Sequence, residues 1–364
     1  MMRWRRGVGA AGKAGSVIAM LVAAGMCAPA LAEGPVMIAH FIDVGQADAT
    51  LLEFPCGALL IDAGAQDNQQ VSKLLGYLTD FFARRTDLNK TLDSIIITHN
   101  HIDHTRALRE IVEKFKVKHY VDNGQLDGPG SGDPNWVRTN AHTDDRDISV
   151  GTVVDTQITD SGDTDGVTND DIDPIKCNTC DPRIAILSGR LTENPGWPHR
   201  KFDNKNNHSL VARIDFGESS FLFTGDMEED AIETFVDWYD DTTTLDVDVY
   251  QMGHHGSHNA TTVSLIEAMT PEIAVISAGK WDFGRNTTNQ YSTWYYGHPR
   301  RVTVDLLTLA IRGRRSSPPT VKLFDRPQSY REYKVRKRIY ATSWDGTVRV
   351  RASLTGRFRV TRNQ

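Results

Sequence analysis

Cysteine is scarce in this chain, four in 364 residues, which excludes a small disulfide-knit scaffold. Long apolar runs are scarce too. The run from Val17 to Met26 falls short of the ~20 residues that cross a bilayer, and nothing later is longer, so no integral membrane segment is expected. Charge of one sign does not dominate either: the net charge of −6 weighs against tight nonspecific binding of a polyanion over the whole surface. The short apolar run lies between Arg3, Arg5 and Arg6 on one side and Ala30-Leu31-Ala32 on the other. That is the order of a secretory signal: basic region, hydrophobic core, small-residue cleavage site. Met26 stands where a lipoprotein signal ending at Cys27 has a small residue. Cleavage after Ala32 takes the net charge from −6 to −10, and the product is expected in the periplasm or outside the cell. In such an oxidising compartment Cys177-Asn-Thr-Cys180 reads as a small-loop disulfide, with Cys56 left as a buried inert thiol. Residues 33–364 suffice for one large layered α/β domain.

Histidine, by contrast, is concentrated. Residues 98–104 read Thr-His-Asn-His-Ile-Asp-His, directly after Ser94-Ile95-Ile96-Ile97, a run with the length and β-branched content of a buried strand. In an extended segment His99 and His101 point the same way, while Asp103 and His104 begin the next element and reach a second point nearby. Two neighbouring cation positions are therefore expected. Imidazole and carboxylate ligands without thiolate suit zinc, with manganese or iron as alternatives. A surface run of histidines that binds nothing needs no strand before it and no helix after it, and residues 104–116 have apolar positions at helical spacing.

Upstream, Met37–Phe41, Ala49–Phe54 and Ala58–Ile61 read as short strands, with Pro55 and Gly57 marking the second turn. Val71, Leu74, Leu75, Leu78, Phe81 and Phe82 place a helix over 67–86, and Val117–Val121 is a further strand. From 123 to 207 the pattern gives way to Gly, Pro, Asp, Asn and Thr, with short strands only at Val150–Val154 and Ile184–Leu187. An irregular acidic insertion is expected there. Its centre, Asp160 to Asp171, resembles a calcium loop, but aligning Gly166 with the loop glycine puts Ser161 at the first ligand position and Ile172 at that of the glutamate. A solvated acidic loop is the better reading. Strands then return at Ser209–Asp215 and Ser220–Thr224, followed by helix Glu229–Tyr239, strand Val247–Gln251, helix Val263–Met269 and strand Ile273–Ser277. The two series match in order and size and predict an α/β fold of four layers, an αββα sandwich whose strand ends share one edge. Beyond Arg300 many basic residues face only Asp305, Asp325, Glu332 and Asp345. Val348–Arg351 and Arg357–Val360 alternate with period two, so arginines line one face, either as plain solvated surface or as a track for a polyanion.

Two more strand ends carry ligand types. Phe223-Thr-Gly-Asp226 ends one with a carboxylate at a glycine turn, and Met252-Gly-His-His-Gly-Ser257 ends the next with two imidazoles. Joined to the first motif they predict one dinuclear site bridged by Asp226. With Asp43-Val-Gly-Gln-Ala-Asp48, Leu60-Ile-Asp-Ala-Gly64, Asn206-Asn-His-Ser-Leu210, Ser277-Ala-Gly279 and Tyr296-Gly-His-Pro299, the chain resembles the metallo-β-lactamase superfamily, and within it the hydrolase domain of ComEC-type competence proteins. The resemblance implies two divalent ions, zinc or else manganese, held by His99, His101, Asp103, His104, Asp226 and His254. It implies a metal-dependent hydrolase, a phosphodiesterase or nuclease attacking with a metal-held hydroxide, whose substrate is nucleic acid or another phosphodiester. Hydrolysis of a small ester, a phosphocholine-type diester or a lactam is the alternative, and a non-catalytic metal-binding module a third reading. Asp103, itself a ligand, and His255 and His298 are the catalytic candidates, the histidines as groups that protonate a leaving group or grip a phosphate. Where the superfamily has a Gly-His-Thr type turn with a further histidine ligand, this chain has Lys205-Asn-Asn-His-Ser209, which makes His208 a ligand candidate with no secure alignment.

Overall fold

The fold follows from where apolar side chains fall along the strands. The computed structural model describes residues 34–159 and 164–363, so the expected signal sequence lies outside the described residues. In chain order the strands are β1 (Val36–Phe41), β2 (Thr50–Glu53), β3 (Ala58–Ile61), β4 (Thr91–Ile96), β5 (Lys116–Asp122), the paired β6 (His142–Thr143) and β7 (Arg146–Asp147), and β8 (Ser149–Thr152). They continue as β9 (Arg183–Ser188), β10 (Val211–Phe216), β11 (Ser219–Phe223), β12 (Val249–Met252) and β13 (Ile273–Ile276). The hairpin of β14 (Thr320–Arg326) and β15 (Ser329–Lys334) follows, then β16 (Ile339–Ala341), β17 (Thr347–Ser353) and β18 (Phe358–Asn363). Eight strands make one sheet, ordered β18-β17-β1-β2-β3-β4-β5-β8, and six make the other, ordered β16-β13-β12-β11-β10-β9.

The inner faces of the two sheets meet in one core. Phe41 stacks on Phe223 with ring centroids 6.2 Å apart, and Phe54 lies 6.5 Å from Phe216. Each such side chain, fully buried, contributes roughly 1.5–3 kcal/mol. The outer face of the first sheet is covered by α1 (Asn68–Arg84), which begins where Asp67 accepts from Gln70 N and buries Val71, Leu74, Leu78, Phe81 and Phe82. Helices Glu229–Trp238, Val263–Met269 and Arg301–Ala310 cover the second sheet in the same way. This is the four-layer αββα sandwich that the periodicity predicts.

Three local features differ from the sequence reading. The helix expected over 104–116 is two pieces, Ile102–Thr105 and Leu108–Lys114, because the Ala107 N–H donates to the Ala63 carbonyl at 2.8 Å rather than continuing the helix. The 123–207 stretch is less irregular than its composition suggests, since β8 extends the first sheet beside β5 and β9 extends the second beside β10. Residues 160–163 of its acidic centre are outside the described residues, but Val167 pairs with Ile186 and Asp171 accepts from His119 Nδ1 at 2.8 Å. The cysteines also pair otherwise. Cys56 is bonded to Cys177, and Cys180 is the buried free thiol. The reason is tertiary: Ile175 packs against the turn at Gly57, which brings Cys177 to a partner 121 positions away, beyond the reach of a spacing argument.

Closing so long a loop limits the unfolded chain, an effect of about 4–5 kcal/mol in the chain-entropy treatment. Cys56→Ser is therefore expected to lower the unfolding free energy by several kcal/mol, whereas Cys180→Ser leaves it within about 1 kcal/mol. Urea denaturation of both variants measures this. Equal effects would mean that the Cys56–Cys177 bond does not form.

Candidate metal centre

Strands from both sheets end at one edge. β4 runs out through Ile97 and Thr98 into His99 and His101, and the helical turn Ile102–Thr105 then carries Asp103 and His104. From the second sheet, β11 ends at Thr224-Gly225-Asp226. Gly225 takes a φ of +53°, and a Cβ there would meet Ser209 and Thr98 side-chain atoms at 2.9 Å, so the turn that presents Asp226 requires glycine. β12 ends at Met252, and after Gly253 come His254 and His255 at φ +46° and +53°.

These turns bring six side chains into two groups, His99 with His101 and Asp226, and Asp103 with His104 and His255, the ligand atoms of each group lying within 4.8 Å of one another. Asp226 stands between the groups. Its Oδ1 is 3.2 Å from His104 Nε2, and its Oδ2 is 3.9 Å from His99 Nε2 and 3.7 Å from His255 Nε2. Asp103 Oδ2 lies 3.3 Å from His255 Nε2. Separations of this size suit atoms that share an ion at about 2.0–2.2 Å from each.

The ring protons point to the same use. His104 Nδ1 donates to Asp62 Oδ2 at 2.7 Å and His255 Nδ1 donates to the Ser277 carbonyl at 2.8 Å. Both acceptors lack a proton to give, so the proton of the neutral imidazole sits on Nδ1 and its Nε2 carries the lone pair. Those two Nε2 atoms are buried, face carboxylate oxygens and make no hydrogen bond. A histidine fixed through its far nitrogen with an unpartnered lone pair is the arrangement of a metal ligand. Imidazole and carboxylate donors fit zinc, and geometry leaves manganese compatible. Burial works against charge on His255, yet Asp226 and Asp103 carry its pKa up to about 9. Burial also opposes charge on His104, and Asp226 and Asp62 push its pKa well above the usual value. The pocket is thus strongly favourable to cations.

Of the two adjacent histidines, His255 rather than His254 stands in a group. His254 is partly exposed, with Nε2 3.7 Å from Asp226 Oδ2 and Nδ1 3.7 Å from Glu228 Oε1. His298 is buried beyond it, edge-on to His254 at 5.5 Å and stacked on Tyr296 at 5.7 Å, and burial holds its pKa well below the ordinary imidazole value. His208 is in neither group. It sits in the turn Lys205–His208, donates from Nε2 to the Phe202 carbonyl at 2.6 Å and lies against the Phe202 ring. Two carboxylates, in the Asp43–Asp48 and Leu60–Gly64 motifs, have no role of their own in the sequence reading. Asp62, at φ +56°, accepts from Thr98 N and orients His104. Asp48, with pKa pushed up to about 6 by burial and by Asp62, accepts from Gln251 Nε2. Asp62 follows the apolar run Ala58–Ile61, which was the available signal.

His255→Ala is expected to release one ion of the pair, while His254→Ala and His208→Ala keep both. Metal content after gel filtration checks this; the reverse order for the two adjacent histidines would restore His254 as the ligand.

Residues 42–280 match the family model of the Metallo-beta-lactamase superfamily. The chain belongs to that superfamily. Among curated relatives, it is 26% identical over 278 residues to ComE operon protein 3 of Bacillus subtilis, covering 73% of this chain and 30% of that protein. It is 39% identical over 77 residues to Recombination protein 2 of Haemophilus influenzae, covering 21% of this chain and 9% of that one. The chain thus spans less than a third of the length of these relatives. Among solved structures, the metallo-beta-lactamase fold protein YhfI from Bacillus subtilis is 12% identical, with a TM-score of 0.38, covering 66% of this chain and 84% of that one. Among the described residues no helix is long and apolar enough to cross a membrane.

Proposed function

We propose that this superfamily member is an exported phosphodiesterase whose substrate is nucleic acid. The observation that carries the hydrolytic site is the pair of buried, unpartnered Nε2 atoms of His104 and His255 facing Asp226. His99, His101 and Asp226 would hold one divalent ion, and Asp103, His104 and His255 the other, with Asp226 shared. Ions bound there supply Lewis acidity to a phosphoryl oxygen and lower the pKa of water. Asp62 and the Ser277 carbonyl keep the imidazoles in the required tautomer. His254, partly exposed and beside Asp226, is placed to donate a proton to a leaving oxygen or to grip a phosphate; His298, buried and uncharged, positions its ring.

A nucleic-acid substrate is supported by the similarity to a protein named for recombination and by the arginines of β17 and β18. One observation favours a smaller, apolar-tailed ester instead: a cavity of about 390 Å³ lined by Leu187, Trp197, Met227, Phe235 and Trp238. Metal-loaded protein assayed on bis-p-nitrophenyl phosphate, a β-lactam, an aliphatic ester and labelled single- and double-stranded DNA separates these readings. Turnover of the lactam or ester with none of the phosphodiesters would reject the proposal. Export is supported by the residue order of 1–32 and by the Cys56–Cys177 bond, of a kind made in oxidising compartments. N-terminal sequencing of the secreted product is expected to begin at Glu33, and an uncleaved terminus would contradict it.

A further inference from the structure

Tyr296 ends the helical turn Thr293–Tyr296, in the segment between β13 and the helix Arg301–Ala310. Hydrogen bonds on both sides of the turn place it at the metal centre. Before it, Thr293 Oγ1 and Gly279 N both donate to Gln46 Oε1 at 3.1 Å, and the Gln46 loop is tied to the ligand-bearing turn by Asp48 N, 3.0 Å from the Asp103 carbonyl. After it, Arg300 N donates at 2.8 Å to the carbonyl of Gly256, one residue past His255. Tyr296 is thus bracketed between the turn that carries Asp103 and the turn that carries His255.

The side chain is held through its ring. It stacks on buried His298, with centroids 5.7 Å and planes 20° apart, and the Tyr296 carbonyl accepts from Arg300 Nη2 at 3.1 Å. His298 is in turn edge-on to His254, whose Nε2 lies 3.7 Å from Asp226 Oδ2. The hydroxyl is different. Tyr295 Oη, from the same turn, donates to the Thr287 carbonyl at 3.2 Å, whereas Tyr296 Oη makes no hydrogen bond to any of the described residues. Burial, with the charges of Asp103 and Asp226, pushes its pKa up to about 12, so it keeps its proton. A half-buried donor fixed at its ring and unpaired at its tip is arranged to meet an acceptor that arrives with the substrate.

We propose that Tyr296 is a catalytic residue whose hydroxyl donates a hydrogen bond to a non-bridging oxygen of the substrate phosphate; the inference rests on the phosphodiesterase reading and names the group that grips the anion. His254 is then left to the leaving oxygen.

Tyr296→Phe keeps the ring and its stack on His298 and removes only the hydroxyl. The variant is expected to keep the metal content and melting temperature of the parent, while kcat/KM for bis-p-nitrophenyl phosphate falls about 100-fold. Calorimetric titration of the metal-loaded proteins with inorganic phosphate needs no turnover, and should show the variant binding about tenfold more weakly. Tyr295→Phe, which loses a hydroxyl already spent on the Thr287 carbonyl, should bind phosphate as the parent does. Unchanged phosphate affinity in Tyr296→Phe would overturn the assignment, as would a parent that binds no phosphate. An equal loss in Tyr295→Phe, or a loss accompanied by missing metal, would also overturn it, because the turn rather than the hydroxyl would then be responsible. Failure of the parent to hydrolyse any phosphodiester would reject the phosphodiesterase reading, and the phosphate titration would still decide whether Tyr296 grips the anion.

Discussion

Asp226→Asn is expected to take the protein from about two divalent ions per chain to nearly none. The substitution keeps the volume of the side chain and removes only its charge and one acceptor oxygen. Asp226 reaches both groups, with Oδ1 3.2 Å from His104 Nε2 and Oδ2 3.7 Å from His255 Nε2 and 3.9 Å from His99 Nε2, so one change acts on both positions. By comparison, His255 touches one group and Asp62 acts through His104 alone. Hydrolysis of bis-p-nitrophenyl phosphate should fall by more than the 10- to 100-fold loss of affinity typical of outer partners such as Asp62. Elemental analysis on folded protein checks the first expectation and steady-state kinetics the second. A folded variant that still carries both ions would remove Asp226 from its bridging place.

The parts of this centre that were legible in the sequence are those fixed by local geometry. His99 to His104 could be read because a strand end and a helix start place side chains by period alone. Asp226 could be read because a carboxylate at a glycine turn after an apolar strand points past the sheet. The choice between His254 and His255 could not, since both residues lie at positive φ and the left-handed turn sends their rings in directions that spacing does not encode. His208 stands in neither group for a related reason: the Phe202 carbonyl, six residues back, captures its ring nitrogen. Non-local pairing hid the rest. Cys56 meets Cys177 only because the insertion folds onto the β2–β3 turn, and Asp62 meets His104 only because the Asp62–Gly64 loop is bonded to the ligand-bearing turn. The arginine alternation of β17 was visible as a period, but the helix that makes it one wall of a groove comes from the other end of the chain.

That bonded loop gives a second large effect. Ala63 N donates to the His104 carbonyl at 2.8 Å, Asp48 N to the Asp103 carbonyl at 3.0 Å, and Gly64 N to the Asp48 carbonyl at 2.7 Å, so three backbone segments close on one another behind the ligands. A Cβ on Gly64 would lie 1.6 Å from the Asp103 carbonyl oxygen and 2.6 Å from that of Asp48. Both obstacles are backbone, so Gly64→Ala has to push the Asp103–His104 turn outward. Forced overpacking of this kind costs about 1–3 kcal/mol or more, and a ligand displaced by about 1 Å lowers turnover on the order of 100-fold. Gly76→Ala is the matched control. Gly76 is exposed in the middle of α1 with nothing within 4 Å of its would-be Cβ, so the same change there is expected to stabilise the protein by about 0.5–1 kcal/mol and leave metal content and turnover alone. Melting curves and elemental analysis of the two variants side by side read both effects. Full metal and full activity in Gly64→Ala would show that the turn has room to relax, and that the positions of Asp103 and His104 are set by the bound ions rather than by the backbone behind them.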